Sequence, residues 1–188
     1  AAGHFIGFRA FAWGPGSVER RAKRSHTSDP ANAVVSSIDK DRLMWSVQHF
    51  VSGFRMMTTN AEGHTELPCK ADRLLFQLRF YDPQFLLPLL PVVLTKCAGD
   101  VEHRALVESG VLSYVVMALS VKDKSVRALA YQCLGSYRAL LDEARFRERL
   151  QVVSVLDSLK SAITEDYQYV TPLISTFIAR SVVLAVHP

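Results

Sequence analysis

The fold is decided by residues 106–137, which read LVESGVLSYVVMALSVKDKSVRALAYQCLGSY. Gly110 follows a short apolar segment and the polar Ser109, and a glycine at such a position can end a helix in the left-handed conformation and turn the chain. Apolar residues then recur at helical spacing in two further segments, which the charged residues 122–125 separate. The pattern predicts three successive helices. The stripe of the second is Val111, Leu112, Val115, Val116 and Leu119, and that of the third is Val126, Leu129, Ala130, Cys133, Leu134 and Tyr137.

Helices this short cannot bury their apolar stripes alone, so they stack on neighbours of the same kind. Three of them joined by tight turns resemble an armadillo-type repeat, and comparable helices recur after roughly 40 to 47 residues. We therefore predict an all-α fold, an armadillo/HEAT-like helical-repeat solenoid, over residues 37–188. Residues 14–37 contain few large apolar residues, so residues 1–36 are predicted to form a basic, aromatic-containing arm or linker.

Capping signals and apolar periodicity predict the other helices. Asp82 is placed to cap a helix that has Pro83 at its first position. Pro88 and Pro91 should bend this helix, which is apolar on all sides, before it ends near Lys96. The remaining helices are predicted to begin near Ser37 or Asp39, to run from Ala71 to Phe80, to begin at Asp100, to carry a stripe from Phe146 through Leu150 to Ile163, and to run from Pro172 to Val186.

Size and cysteine content limit the class of protein. The 188 residues, of which 49% are hydrophobic, suit one domain or about four repeats of roughly 40 residues each. The longest apolar run, residues 85–94, contains two prolines and is shorter than the roughly 18 residues that cross a bilayer. A soluble protein without membrane contact is expected. Three cysteines, odd in number and far apart, indicate a reducing compartment rather than a disulfide framework.

The residue types that carry catalysis or hold metals form no recognisable constellation in the sequence. The six histidines show no close pair at ligand spacing, and no cysteine lies within four residues of another, which argues against a zinc site. A cysteine and a histidine that meet only in space stay open as a nucleophile pair, but no glycine-framed nucleophile or phosphate loop accompanies them. We predict a protein that is not an enzyme and needs no cofactor.

Charge concentrates in the arm. The net charge is +4, and residues 1–30 hold five Arg or Lys against two Asp or Glu, whereas residues 100–188 hold ten of each. The basic cluster could neutralise RNA phosphates, act as a nuclear address, or be a solvated linker. The aromatic cluster could stack on unpaired bases, but packing into a groove on a neighbouring protein is favoured. The basic residues are Arg20, Arg21, Lys23 and Arg24, and the partner-docking aromatics are Phe5, Phe8, Phe11 and Trp13.

A second basic group follows the long third helix. On a continuous helix Arg145 and Arg149 would lie one turn apart and could hold a phosphate or an acidic partner. Pairing with the neighbouring acids is the favoured alternative. We keep both arginines as candidate RNA- or partner-binding residues. Weaker candidates for RNA contact lie at the turn between the second and third helices, and they are Lys122, Lys124 and Arg127.

The best-known function of armadillo repeats is missing here. Nuclear-import adaptors of that type hold extended peptides with a Trp and, one turn later, an Asn on the third helix of each repeat. The corresponding positions in this chain are Gln132 and Ser136. Because the stacking ring and the backbone-pairing amide are both absent, the adaptor function is not expected.

Three segments together resemble the C-terminal region of the nucleolar pre-ribosomal-associated protein 1 family. They are FYDPQFLLPL at residues 80–89, ARFRE at 144–148 and LISTFIA at 173–179. The resemblance covers roughly residues 40–188 and implies a large helical-repeat scaffold of the nucleolus. Such scaffolds act in assembly of the large ribosomal subunit, with assembly factors and pre-ribosomal RNA as partners. The predicted function is thus a non-catalytic scaffold module within a large assembly or a longer chain. A general protein-interaction adaptor without nucleic-acid contact is the alternative.

Overall fold

The computed structural model describes residues 38–50, 79–94 and 99–186. Within these ranges the chain is helical and contains no strand, so the predicted all-α class is confirmed. The helices are α1 Lys40–Gln48, α2 Pro83–Leu86, α3 Leu90–Leu94, α4 Asp100–Glu108, α5 Val111–Ala118, α6 Lys124–Glu143, α7 Arg149–Ser161 and α8 Pro172–Val186, with a 3₁₀ turn at Leu87–Leu89 between α2 and α3.

Aspartate side chains begin several of these helices. Asp39 Oδ1 accepts hydrogen bonds from the Asp41 and Arg42 amides at 2.9 and 3.1 Å. Asp82 and Asp123 cap α2 and α6 in the same way. Each carboxylate satisfies amides that have no partner inside the helix. The predicted starts near Asp39 and at Pro83 are therefore confirmed.

Gly110 separates α4 from α5, as predicted. Its φ is 84°, in the left-handed region that favours glycine. The Ser109 amide still bonds to the Ala105 carbonyl, and the Tyr114 amide bonds to the Gly110 carbonyl, both at 2.9 Å. One residue therefore ends one helix and begins the next.

Helix α5 is the centre of the fold. All eight of its residues are buried, and α1, α4, α6 and α8 pack around it. Helix α8 runs antiparallel to α5, because Ser113 Oγ donates to the Ala179 carbonyl at 2.8 Å while the Val170 amide donates to the Leu119 carbonyl at 3.1 Å. Apolar side chains cover α5 on every side, so its burial drives the packing of its neighbours.

Two predicted helices differ from the structure. The apolar helix from Pro83 is not one bent helix but two short α-helices joined by the 3₁₀ turn that contains Pro88, because proline lacks the amide for an α-helical bond. The helix predicted from Phe146 begins instead at Arg149, after an irregular connection. Leu150 is 69% exposed and so is not part of the buried stripe. The buried residues of α7 are Val152, Leu156 and Leu159.

Candidate interaction surfaces

The predicted arm lies outside the described residues. The roles expected for its basic and aromatic side chains therefore stay predictions. The helix expected over residues 71–80 also falls largely outside the described part of the chain, as do Cys69 and Cys97.

Arg149 closes the end of α6. Its Nε donates to the Leu141 carbonyl, its Nη2 donates to the Asp142 carbonyl at 3.3 Å, and Nη2 lies 4.0 Å from the Asp142 carboxylate. Carbonyls at the last turn of a helix have no partner inside it, and a cation there also interacts favourably with the helix dipole. Arg145 is exposed on the irregular connection before α7, whereas Arg149 is the first residue of α7. The prediction that both arginines lie one turn apart on one helix is therefore wrong. Their contact with phosphate or an acidic partner stays a prediction.

Arg138 ties α6 to α7. Its Nε donates to Asp157 Oδ1 at 2.8 Å and its Nη1 to Asp142 Oδ1 at 2.6 Å. The hydrogen bond from Arg138 lowers the pKa of Asp157, and the bonds to Asp157 and Asp142 raise the pKa of Arg138. All three groups stay ionised at neutral pH, and the charge of Arg138 is offset by two carboxylates, which makes it a structural bridge rather than a free cation for a partner.

The turn before α6 brings three cations together, as the sequence predicts. Arg127 is anchored, because its Nη1 donates to the Val121 and Lys122 carbonyls at 2.8 and 2.7 Å. Its Nε donates to the carbonyl of Tyr167 at 2.9 Å. Lys122 and Lys124 are exposed, and neither belongs to an ion pair among the described residues. The positive charge of the two lysines is available to a ligand.

A groove beside these cations was not predicted. It has a volume of about 640 Å³ and lies between α6 and the connection from α7 to α8. The ring centroids of Tyr131 and Tyr167 are 6.1 Å apart, and the angle between the two ring planes is 59°. Burial raises the pKa of the Tyr131 phenol, with Arg127 opposing part of the rise, and the phenol donates to the Gln168 carbonyl at 2.9 Å. The lining residues are Ser125, Ala128, Leu129, Tyr131, Gln132 and Tyr167.

The sequence held one signal for this groove. Tyr167 and Tyr169 are large aromatic residues within a polar connection, where a solvated turn needs neither. Gln132, which occupies the position of the adaptor Trp, lines the groove, and Ser136 is exposed one turn away. Gln132 is therefore exposed, but Gln132 and Ser136 replace the Trp and Asn with which the adaptors hold a peptide.

Helix α8 carries an uncovered apolar face. Leu173 is 81% exposed and Phe177 is 72% exposed, and Leu184 lies on the same side of the helix two turns beyond Phe177. Ile174 is beside them and is half-exposed. Arg180 is the one charged residue of this helix. We call Leu173, Ile174, Phe177 and Leu184 the α8 stripe.

Two buried groups that titrate are better explained as structure than as chemistry. Burial raises the pKa of the Tyr114 phenol, and the negative charge of nearby Asp82 raises it further. This phenol donates a hydrogen bond to the Tyr81 carbonyl. Burial also raises the pKa of the Cys133 thiol to about 12. Within the described ranges no cluster of three or more His, Cys, Asp or Glu could hold a metal ion. No helix in that part of the chain is long and apolar enough to cross a membrane.

Comparison with known proteins places the chain beside one family. The profile of the family described as "Nucleolar pre-ribosomal-associated protein 1" matches residues 112–188. The human protein of that name is 32% identical over 189 residues, and the mouse protein is 33% identical over 190 residues. Each alignment covers 97% of this chain. The chain is related to nucleolar pre-ribosomal-associated protein 1. It spans only 8% of the length of either relative, and no solved structure matches it.

The similarity to nucleolar pre-ribosomal-associated protein 1 includes the surfaces described above. The residues that the profile matches contain α6, α7 and α8, and with them the groove and the α8 stripe. The names of the relatives describe association with pre-ribosomal particles and do not describe an enzyme. The predicted resemblance is therefore confirmed.

Proposed function

We propose that this region is a non-catalytic scaffold module in the nucleolar assembly of the large ribosomal subunit. The observation that carries the proposal is similarity along 97% of the chain to proteins named as nucleolar and pre-ribosomal-associated. Its partners would be large-subunit assembly factors and pre-ribosomal RNA, and it would work within a large assembly or a longer chain, without membrane contact. In support of a structural role, the buried hydroxyls of Tyr114 and Tyr137 are used within the core, where they donate to the carbonyls of Tyr81 and His103.

The scaffold is proposed to be an armadillo/HEAT-like solenoid over residues 37–188. In support, α4, α5 and α6 follow one another through tight turns, and α5 lies between α1 from the preceding segment and α8 from the following one. Stacked repeats bury a continuous core through contacts of this kind between neighbours. On this proposal the α8 stripe receives the apolar face of another helix of the scaffold, since the related proteins are far longer than this chain.

The arm of residues 1–36 is proposed to reach RNA or a partner. Four of its five cations, Arg20, Arg21, Lys23 and Arg24, would contact phosphates or acidic side chains, and the exposed Arg145 is proposed to do the same. Replacing Arg20, Arg21, Lys23 and Arg24 by Ala together should reduce the dependence of RNA affinity on salt. With fewer phosphate contacts, RNA binding releases fewer counterions. An unchanged salt slope would exclude phosphate contact by these four residues.

The function itself is tested by affinity capture of the tagged chain from nucleolar extract. Large-subunit precursors and assembly factors are expected among the recovered molecules. Recovery of membrane or cytoskeletal proteins without any pre-ribosomal component would overturn the proposal. A charge-matched control is the chain with the arm cations shuffled in position, which keeps the net charge but not the cluster.

A general protein-interaction adaptor is a second candidate, and the α8 stripe favours it. Apolar side chains as exposed as Leu173 and Phe177 suit a protein partner better than a nucleic acid. The adaptor would retain its protein partners after nuclease treatment and would bind no RNA at physiological salt. Loss of the partners on nuclease treatment would exclude it.

A further inference from the structure

Tyr167 has an unusual backbone conformation for a bulky residue. Its φ is 56°, and among the described residues it is the only one other than glycine with a positive φ. A side chain in this region costs roughly 1–2 kcal/mol, which a glycine would not. Such strain persists only where the surroundings impose it, and it is found often at ligand-binding positions.

The surroundings of Tyr167 fix its backbone from α6. Arg127 Nε holds the Tyr167 carbonyl at 2.9 Å, and the Tyr131 hydroxyl holds the Gln168 carbonyl at 2.9 Å. The side chain of Gln168 accepts from the Thr164 amide at 2.9 Å, which closes the turn on itself. The backbone that carries the ring is thus held in place before any ligand arrives.

The core does not account for this ring, because Tyr167 is 43% exposed. The Tyr131 ring lies beside the Tyr167 ring, and Lys124 Nζ lies over the Tyr167 ring, 5.9 Å from its centroid. Tyr167 also lines the groove. An aromatic ring that is open to solvent is a platform on which a flat ligand can stack.

The groove suits a flat ring that has polar edges. None of its six lining residues is charged, and Leu129 and Ala128 supply an apolar floor. The Gln132 amide can both donate and accept hydrogen bonds, and so can the Ser125 hydroxyl. This is the combination with which proteins recognise unpaired bases, by stacking on an aromatic ring and bonding to the base edge.

The charges around the groove point to an anionic ligand on the α6 side. Lys122 and Lys124 are exposed, and the carboxylate of Asp123 between them accepts from the Ser125 amide at 2.8 Å. The N-terminus of the 20-residue α6 adds partial positive charge. Glu165 and Asp166 directly precede Tyr167 and are exposed, and their negative charge disfavours a phosphate beside them.

We propose that the groove binds an unpaired base of single-stranded RNA, stacked on Tyr167, with the adjoining phosphate at Lys122 and Lys124. The inference deepens the proposed pre-ribosomal function and rests on it for the source of the RNA. A peptide with an aromatic side chain is the competing occupant, and it becomes an outcome of the test.

The test titrates fluorescent single-stranded RNA heptamers of each base into the full chain and its variants. Tyr167→Gly should weaken binding roughly 5- to 150-fold, as expected for one lost stacked base. The free energy of unfolding should change by less than about 1 kcal/mol, because relief of the strained φ offsets the lost ring contacts and the greater freedom of glycine in the unfolded chain. Tyr167→Phe should bind as the unmodified chain does. Tyr169→Ala is the matched control, because Tyr169 is similarly exposed but does not line the groove.

The lysines are tested by salt dependence. Lys122→Ala with Lys124→Ala should reduce the slope of log affinity against log salt by about 0.7 for each residue. Photo-crosslinking with 4-thiouridine RNA should label the peptide that contains Tyr167. This locates the contact even if the arm also binds RNA.

Equal RNA affinity of Tyr167→Gly and the unmodified chain would overturn the inference, as would crosslinks confined to residues 1–36. An assembly-factor peptide that protects Tyr167 while RNA does not would also overturn it, in favour of a protein ligand. These outcomes concern isolated RNA, so they are separate from failure of the proposed function, which affinity capture detects.

Discussion

At the scale of residues, the backbone conformation of a glycine decides whether its replacement by alanine lowers or raises the free energy of unfolding. Gly110 has a φ of 84°, and an added Cβ would lie 2.7 Å from Met44 Sδ. Gly135 lies inside α6, with nothing within 4 Å of an added Cβ. Gly110→Ala should lower the free energy of unfolding by about 1–3 kcal/mol through strain and crowding. Gly135→Ala should raise it by about 0.5–1 kcal/mol, since alanine is the better helix former.

Urea denaturation of the two glycine variants checks this prediction. The contrast in sign is the critical result, because both substitutions add the same methyl group. A stabilising Gly110→Ala would mean that the turn between α4 and α5 does not use the left-handed conformation.

The thiol of Cys133 should be unreactive in the folded chain. Its pKa of about 12 keeps it protonated at pH 7, and burial excludes reagents. Iodoacetamide followed by peptide mapping should show slow labelling of Cys133, and fast labelling once urea unfolds the protein. Equal rates in both states would contradict its burial between α6 and the segment at Leu87.

At the scale of elements, the two faces of α8 should respond differently to charge. Phe177 is exposed, whereas Val182 is fully buried on the same helix. Phe177→Glu should change the free energy of unfolding by less than about 0.5 kcal/mol, while Val182→Glu should lower it by more than about 3 kcal/mol. Thermal and urea unfolding of the two variants measure this difference.

Comparable destabilisation by both glutamates would mean that Phe177 is covered in the free chain. If the fold of the Phe177→Glu variant is retained as expected, the variant also serves the functional test, because it removes apolar contact without loss of fold. Reduced recovery of protein partners would identify the α8 stripe as their binding surface.

The bridge between α6 and α7 should depend on acid pH. The folded-state pKa of Asp157 lies below its unfolded value because Arg138 hydrogen-bonds the carboxylate. The stabilising contribution is therefore fully present above about pH 4, near the unfolded value, and is lost as the pH falls through the folded-state pKa. Asp157→Asn should be less stable than the unmodified chain at pH 6, and the difference should vanish at low pH.

Asp166→Asn is the control for this measurement, since Asp166 is exposed and belongs to no ion pair among the described residues. It should show no such pH-dependent difference. A constant deficit of Asp157→Asn at every pH would indicate a role for the side chain other than its charge.

At the scale of the whole molecule, α5 should be the last helix to open. Neighbours enclose it on every side, and all of its side chains are buried. Amides of α5 should exchange with solvent only through global unfolding, whereas residues 162–171 should exchange faster. Hydrogen exchange with mass spectrometry checks this order, and early exchange of α5 would show that the helices around it separate independently.

The local signals were sufficient for most of the elements. The sequence predicts Asp82 as a cap, a helix start near Ser37 or Asp39, Gly110 as a left-handed turn, and Pro172 and Val186 as the ends of the last helix. These features depend on residues within one or two turns of each other, so a pattern of neighbours is enough to predict them. The sequence does not predict the start of α7 at Arg149, because Phe146 fits the helical spacing but lies before the helix.

The sequence by itself determined the helical class, the caps and the turn at Gly110, because each arises from interactions between near neighbours. Only the tertiary structure decided that Tyr131 and Tyr167, 36 positions apart, border one groove, and that Phe177 is exposed while Val182 is buried. Both helix faces of α8 are apolar in sequence. Which face is covered depends on where α5 and α7 pack, and no local pattern records that.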